Sequence, residues 1–198
     1  MLDNAVTLDT GLPDPVVLRP LTTADAEAFA GHVAGDLPRL SEHLPWPAVT
    51  DTPDGAAAWL GPYERREDGR VVVGGIWAGD ALVGGALLFH HVPAADVVEI
   101  GCWLTAAAEG GGVAAAACTV LIGLARNELG AERVEWHSTT VNTRSRRLAE
   151  RLGFQHEGTL RSDYVLRGER LDTDVFSLVG AELDPFVTTG HAGRRRTP

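Results

Sequence analysis

The stretch from Val97 to Leu124, VVEIGCWLTAAAEGGGVAAAACTVLIGL, constrains this chain more than any other part of it. An apolar run of strand length leads into three consecutive glycines, and an alanine-rich segment with apolar residues at helical spacing follows. Gly130 then stands as a helix stop, and RVEWHSTTV reads as the next strand. A strand, a helix and a second strand in this order close as a parallel, right-handed crossover. The glycines therefore sit where a helix begins beside the carboxyl end of a strand. A helix N-terminus has unpaired N–H groups and the positive end of the helix dipole, and glycines let an anion approach that backbone closely. Against an anion stands Glu109, immediately before the glycines.

The rest of the chain supplies a sheet around this unit. PVVLRPL, from Pro15 to Leu21, reads as a strand, and Thr22 or Thr23 caps a helix through TTADAEAFAGHVAG. HLPWP is a proline-bounded loop, and TPDGAAAWLGPYERRED a second helix. Two β runs flank Gly79-Asp80 as a hairpin. NTRSRRLAERLGF is a helix with Asn142 at its N-cap and Gly153 beyond its end, and a strand pair around Arg167-Gly168-Glu169 closes the chain. About six to seven strands and about four helices result, an α/β or α+β arrangement with a mixed sheet. Residues 1–12 and 185–198 are expected as flexible tails, and 13–184 as one domain.

Charge and composition narrow the function. The formal charge of −10 argues against a general nucleic-acid binder, whose affinity is dominated by phosphate neutralisation. No window has the ~20 apolar residues of a membrane span, and the acidic N-terminus lacks the order of a signal peptide, so a cytoplasmic protein is expected. Cys102 and Cys118 make neither metal-ligand spacing nor a disulfide framework and read as small buried hydrophobes. No metal is expected.

A phosphate ligand at the glycines has several possible forms. No Gly-Lys-Ser/Thr follows them, which excludes a nucleoside-triphosphate loop. Gly110, Gly112 and Ala115 fit a dinucleotide fingerprint, with Glu135 placed for a ribose, so an NAD-binding oxidoreductase stays open as an alternative. The long turn from Leu104 to Gly110 and the presence of only one β-α-β unit speak against it.

Four features in order carry a resemblance: E-I-G-x-W-L, the glycine loop, N-x-x-S-R-R-x-A-E-x-L-G-F-x-x-E-G, and a strand pair containing an aromatic residue. Together they resemble the GNAT superfamily of N-acyltransferases, and within it the RimJ/RimL-type branch, which acetylates protein N-termini and small amines. The resemblance implies a GNAT fold, acetyl-CoA or another acyl-CoA as co-substrate, and direct attack by a primary amine of a small molecule or peptide. It places the cofactor pyrophosphate on Glu109, Gly110, Gly111, Gly112, Val113 and Ala114, with Glu109 where an Arg or Gln is expected. Because of that departure, a thioester on an acyl carrier protein remains an alternative donor, with NTRSRR as its docking face. The resemblance also puts an oxyanion-stabilising N–H near Trp103 and Leu104, with Thr105 following. It puts Asn142 on the pantetheine arm and Ser145 as acid to the departing sulfur, while both also suit a helix cap. Asp163 and Glu99 are the two candidates for the base. Trp46 and Tyr164 are expected in the acceptor pocket, where Trp77 is a further possibility, and Arg144, Arg146 and Arg147 near the cofactor 3′-phosphate. His90, His91 and His137 read as surface or core residues. Monomer and homodimer both remain open.

Overall fold

A computed structural model of the protein describes residues 2, 4–67 and 70–187. Eight strands form one sheet: β1 (Val6–Leu8), β2 (Val16–Pro20), β3 (Val72–Ala78), β4 (Ala81–Val92), β5 (Val97–Leu104), β6 (Arg133–Thr139), β7 (Gln155–Leu166) and β8 (Glu169–Val179). Their order is β1-β2-β3-β4-β5-β6-β8-β7. Every neighbouring pair is antiparallel except β5 and β6, which run parallel across the crossover that the sequence predicts. The helices are α1 (Ala26–Gly35), α2 (Leu37–Leu40), α3 (Pro47–Thr50), α4 (Pro53–Arg65), α5 (Val113–Leu124) and α6 (Thr143–Arg151).

Two expectations are corrected. The sheet exceeds the six to seven strands expected, because Val6–Leu8, inside the presumed tail, pairs with β2 and buries Leu8. The helices exceed four because the chain on either side of HLPWP folds into the single turns α2 and α3, each with a proline in its first turn. Residues 188–198, with the Arg194–Arg196 run, lie outside the described residues.

Strand alternation sends side chains to opposite faces of the sheet. On one face Leu18, Ile76, Leu88, Ile100, Val134 and Phe176 pack with α5, whose Ala117, Leu121 and Ile122 are fully buried. On the other face Leu21, Val73, Leu87 and Trp103 pack with Phe29 and Val33 of α1 and Leu60 of α4. Each fully buried Leu, Ile or Phe contributes about 1.5–3 kcal/mol relative to an exposed one. The turns follow their sequence signals: Gly79 and the Arg167-Gly168 pair adopt positive φ in tight hairpins, and Gly130 caps α5's extension at φ 69°. Among the described residues no helix is long and apolar enough to cross a membrane, and no group of three or more His, Cys, Asp or Glu is placed to hold a metal.

Candidate active site

The sheet opens where the parallel pair ends. β5 and β6 are in register only from Val97–Glu99 against Arg133–Glu135; beyond these residues the strands part. A cleft of about 990 Å³ runs between them, walled by Gly101 to Leu104 on one side and Trp136 to Thr139 on the other. The N-terminus of α5 and the segment that carries α2 and α3 both border it.

Strand pairing identifies which amides of β5 face this cleft. The Thr105 amide donates to Val83 of β4 at 2.7 Å, and the β4–β5 register is unbroken from Leu104 back to Glu99. Donors alternate between the two sides of a strand, so Thr105, Trp103 and Gly101 face β4 and Leu104, Cys102 and Ile100 face the gap. At the start of β5, the Asp96 carbonyl accepts from Glu132 and Arg133 on the β6 side, which agrees with this parity. Of the two residues expected to lend an oxyanion N–H, Leu104 therefore has a free donor in the cleft and Trp103 does not. Trp103 contributes its side chain instead, buried against α1, with Nε1–H donating to His32 Nε2 at 3.0 Å.

The glycine loop forms an open cradle. Gly110 and Gly112 have φ of 84° and 77°, and nothing lies within 4 Å of the position a Cβ would take on either. Gly112 is the N-cap of α5, with no side chain capping the helix, so the amides of Val113, Ala114 and Ala115 are left without an acceptor. Gly111 faces the other way. Its carbonyl accepts from the Gly11 amide at 3.0 Å, and a Cβ on it would fall 2.6 Å from Leu12. The segment expected as a tail thus braces the back of the cradle. The cradle's open glycines and free amides fit a diphosphate.

Glu109 does not face such a ligand uncompensated. Its two oxygens pair with Arg39 of α2 at 2.8 Å and Arg144 of α6 at 2.6 Å. Arg39 also pairs with Asp36 and donates to the Leu104 carbonyl. Of the other arginines expected near a 3′-phosphate, Arg146 is drawn inward: its Nε lies 2.8 Å from buried Asp174, though out of line for a hydrogen bond. Arg147 lines the cleft one helical turn from Arg151. The basic face of NTRSRR expected for a carrier protein is therefore partly occupied by internal pairs.

On α6, Asn142 Oδ1 accepts from the Ser145 amide at 3.1 Å, the expected cap. The Ser145 hydroxyl accepts from Trp136 Nε1–H at 2.9 Å. An indole N–H can only donate, so the Ser145 proton stays available to a group in the cleft.

Glu99 is buried at the floor of the cleft, and two of the histidines expected to be incidental, His90 and His137, lie beside it. His90 Nδ1 lies 2.7 Å from Glu99 Oε2, and this hydrogen bond holds the His90 imidazole above its ordinary pKa. His137 Nδ1 is 3.8 Å from the same oxygen, and its Nε2 is 3.1 Å from Glu135. His90 reaches Glu99 because β4 bulges between Phe89 and Val92, which puts His90 at φ 51°. The sequence carries no sign of that bulge, whereas the Glu99–His137 proximity was available from strand parity once β5 and β6 were paired. Glu135 is taken up by His137 and Arg133, the latter at 2.6 Å, so it is not free for a dinucleotide ribose.

Asp163 also lines the cleft, but it is exposed and makes no ion pair with the described residues. It follows Ser162, whose φ is 57° in a bulge of β7. The bulge is pinned from β8, where Asp172 accepts from the Ser162 amide at 2.8 Å and Arg170 donates to its carbonyl at 2.7 Å. Tyr164 is half-buried beside it, and burial, with the Glu99 charge second, raises its phenol pKa. Trp46 completes the opposite wall, whereas Trp77 is buried away from the cleft. Of the expected site residues, Thr105, Gly111, Arg146 and Trp77 do not line this cleft; Thr105 borders a shallow hollow beside His32.

The arrangement matches known proteins. The acetyltransferase (GNAT) domain profile matches residues 16–155. The YdaF protein of Bacillus subtilis (strain 168), named provisionally as a ribosomal N-acetyltransferase, is 30% identical over 171 residues, covering 84% of this chain and 92% of that protein. A solved structure from Chromobacterium violaceum ATCC 12472, described provisionally as a GNAT-family acetyltransferase, is 30% identical. The match covers 90% of this chain and 95% of that one, at a TM-score of 0.73. RimJ of Mycobacterium smegmatis, solved with a CoA disulfide, has the same fold at a TM-score of 0.81, with 23% identity over 91% of this chain and 90% of that one.

Proposed function

This chain belongs to the GNAT acetyltransferase family, and from that membership we propose that it carries an acetyl group from acetyl-CoA to the α-amine of a protein or peptide N-terminus. The observation that carries the reading is the parted β5–β6 pair, with free amides of α5 bordering the cleft and buried Glu99 on its floor. The naming of YdaF as a ribosomal N-acetyltransferase supports a protein acceptor.

Each chemical demand of thioester aminolysis has a group in the cleft. The amides of Val113, Ala114 and Ala115 hold the cofactor diphosphate, and Asn142 borders the path of the pantetheine arm. The Leu104 N–H meets the thioester oxygen and stabilises the charge that grows on it. An α-ammonium has a pKa near ~8, so it needs only modest help to lose its proton. Glu99 takes that proton through water and passes it to His90, whose exposed ring releases it to solvent. The amine nitrogen bonds to the carbonyl carbon, the carbon–sulfur bond breaks, and Ser145 protonates the departing thiolate as it takes up the second proton from the nitrogen. Asp163, at the mouth, attracts the incoming ammonium.

The test follows release of free thiol from acetyl-CoA with a peptide bearing a free N-terminal amine and with its N-terminally blocked twin. Thiol release with the free peptide alone is expected. Equal rates with both peptides, or no acetyl-CoA binding by calorimetry, would sink the reading.

A further inference from the structure

The acceptor half of the cleft has a wall that acyl transfer itself does not require. Trp46 and Trp59 lie 5.1 Å apart, Trp59 lies 5.0 Å from Tyr63, and Trp46 stands edge-on to Trp103 at 5.1 Å. All four line the cleft, and Trp46 and Trp59 are only half-buried, each keeping part of its ring open to it. This row begins beside the base. The Glu99 charge acts on the phenols of both Tyr63 and Tyr164, and burial pushes Tyr63 up to about 12, so both remain neutral donors at any working pH. A carboxylate and aromatic faces together favour an ammonium, and the open indoles beyond favour an apolar group attached to it. A small N-terminal residue such as Ala or Ser would leave those indoles against water.

We propose that the preferred acceptor is an amine carried next to an aromatic or other large apolar side chain, with the amine at Glu99 and the side chain against Trp46 and Trp59. The proposal names the acceptor class of the acyltransferase site and rests on that reading. Flat apolar surface of this kind discriminates a phenyl or indole group from a methyl by about 10- to 100-fold.

The experiment is a tryptophan-fluorescence titration of the whole chain with phenylalaninamide, leucinamide, alaninamide and serinamide, with and without CoA, alongside calorimetry with acetyl-CoA. Phenylalaninamide and leucinamide are expected to bind at least about 10-fold more tightly than the small amides. Trp46→Ala is expected to erase that margin while leaving acetyl-CoA affinity unchanged. Because Trp46 packs in the second core, Trp59→Leu serves as a milder variant with the same expected direction. Equal binding of large and small amides, binding of none, or a margin that survives both substitutions overturns the proposal. Failure of acetyl-CoA to bind while the aromatic preference persists sinks the acyltransferase reading and leaves the acceptor preference standing.

Discussion

Single residues decide the electrostatics of this cleft. Glu109 breaks the family pattern in sequence, yet in the fold it is held by Arg39 and Arg144, whose charges offset it. Replacing Glu109 with Gln releases Arg144 and removes one of the two carboxylates that hold Arg39, beside the cradle. Acetyl-CoA is expected to bind about 3- to 10-fold more tightly in that variant, with a steeper loss of affinity on adding salt. Weaker binding would show that the Glu109 bridge shapes the cradle rather than competing for it. Glu99→Gln is expected to lower kcat by about 10²- to 10³-fold with acetyl-CoA affinity unchanged, as measured by steady-state rates and calorimetry. A parent-like kcat would move the base to Asp163. His32 offers a pH signal of its own. Its Nδ1–H donates to the Leu82 carbonyl at 2.9 Å, and its Nε2 accepts from Trp103, so both nitrogens are committed to the neutral ring. Burial lowers its pKa below the ordinary 6.5. A depressed histidine favours the folded state fully above pH 6.5, and that stability is lost as pH falls through the window below it. Melting temperature measured from pH 7.5 down to about 5 is therefore expected to fall more in the parent than in His32→Gln. Ser145 and Asn142 were legible in the sequence because a cap motif is local. His90 was not, since its reach to Glu99 depends on a bulge that no local pattern marks.

Among the elements, the N-terminal segment changes most between sequence and structure. Its residues lack periodicity, so they read as a tail, yet β1 adds an edge to the sheet and Gly11 and Leu12 brace the Gly111 turn. Removing residues 1–12 is expected to weaken acetyl-CoA binding by about 10-fold while the remaining chain stays folded, because the cradle loses one backbone hydrogen bond and an apolar backing. Far-UV circular dichroism with calorimetry separates the two effects. Unchanged affinity would mean that the glycine loop holds its shape alone. The elements with strong period or clear stops, α4, α5, α6 and the β3–β4 hairpin, were legible in advance. The turns α2 and α3 were not, because helices of four residues carry no periodic signal.

At the scale of the whole molecule, the cleft exists because one sheet is nearly split between β5 and β6. Strands β1 to β5 and strands β6 to β8 join only through three paired positions of β5 and β6. A ligand lying in that gap ties the halves together and binds the folded state alone. Acetyl-CoA at about 100 times its dissociation constant is expected to add about 2.7 kcal/mol, a rise of roughly 5–10 °C in melting temperature. No shift would argue that the gap is not the binding site. The sequence by itself determined the mixed fold, the crossover at the glycines, the family and part of the lining of the cleft. Those follow from period, caps and motif order, which are local properties of the chain. Only the tertiary structure decided that Leu104 and not Trp103 offers the free amide, that two arginines neutralise Glu109, and that His90 and His137 gather at Glu99. Each of these depends on which strands pair, in what register and where the pairing stops, and such contacts join residues distant in the chain.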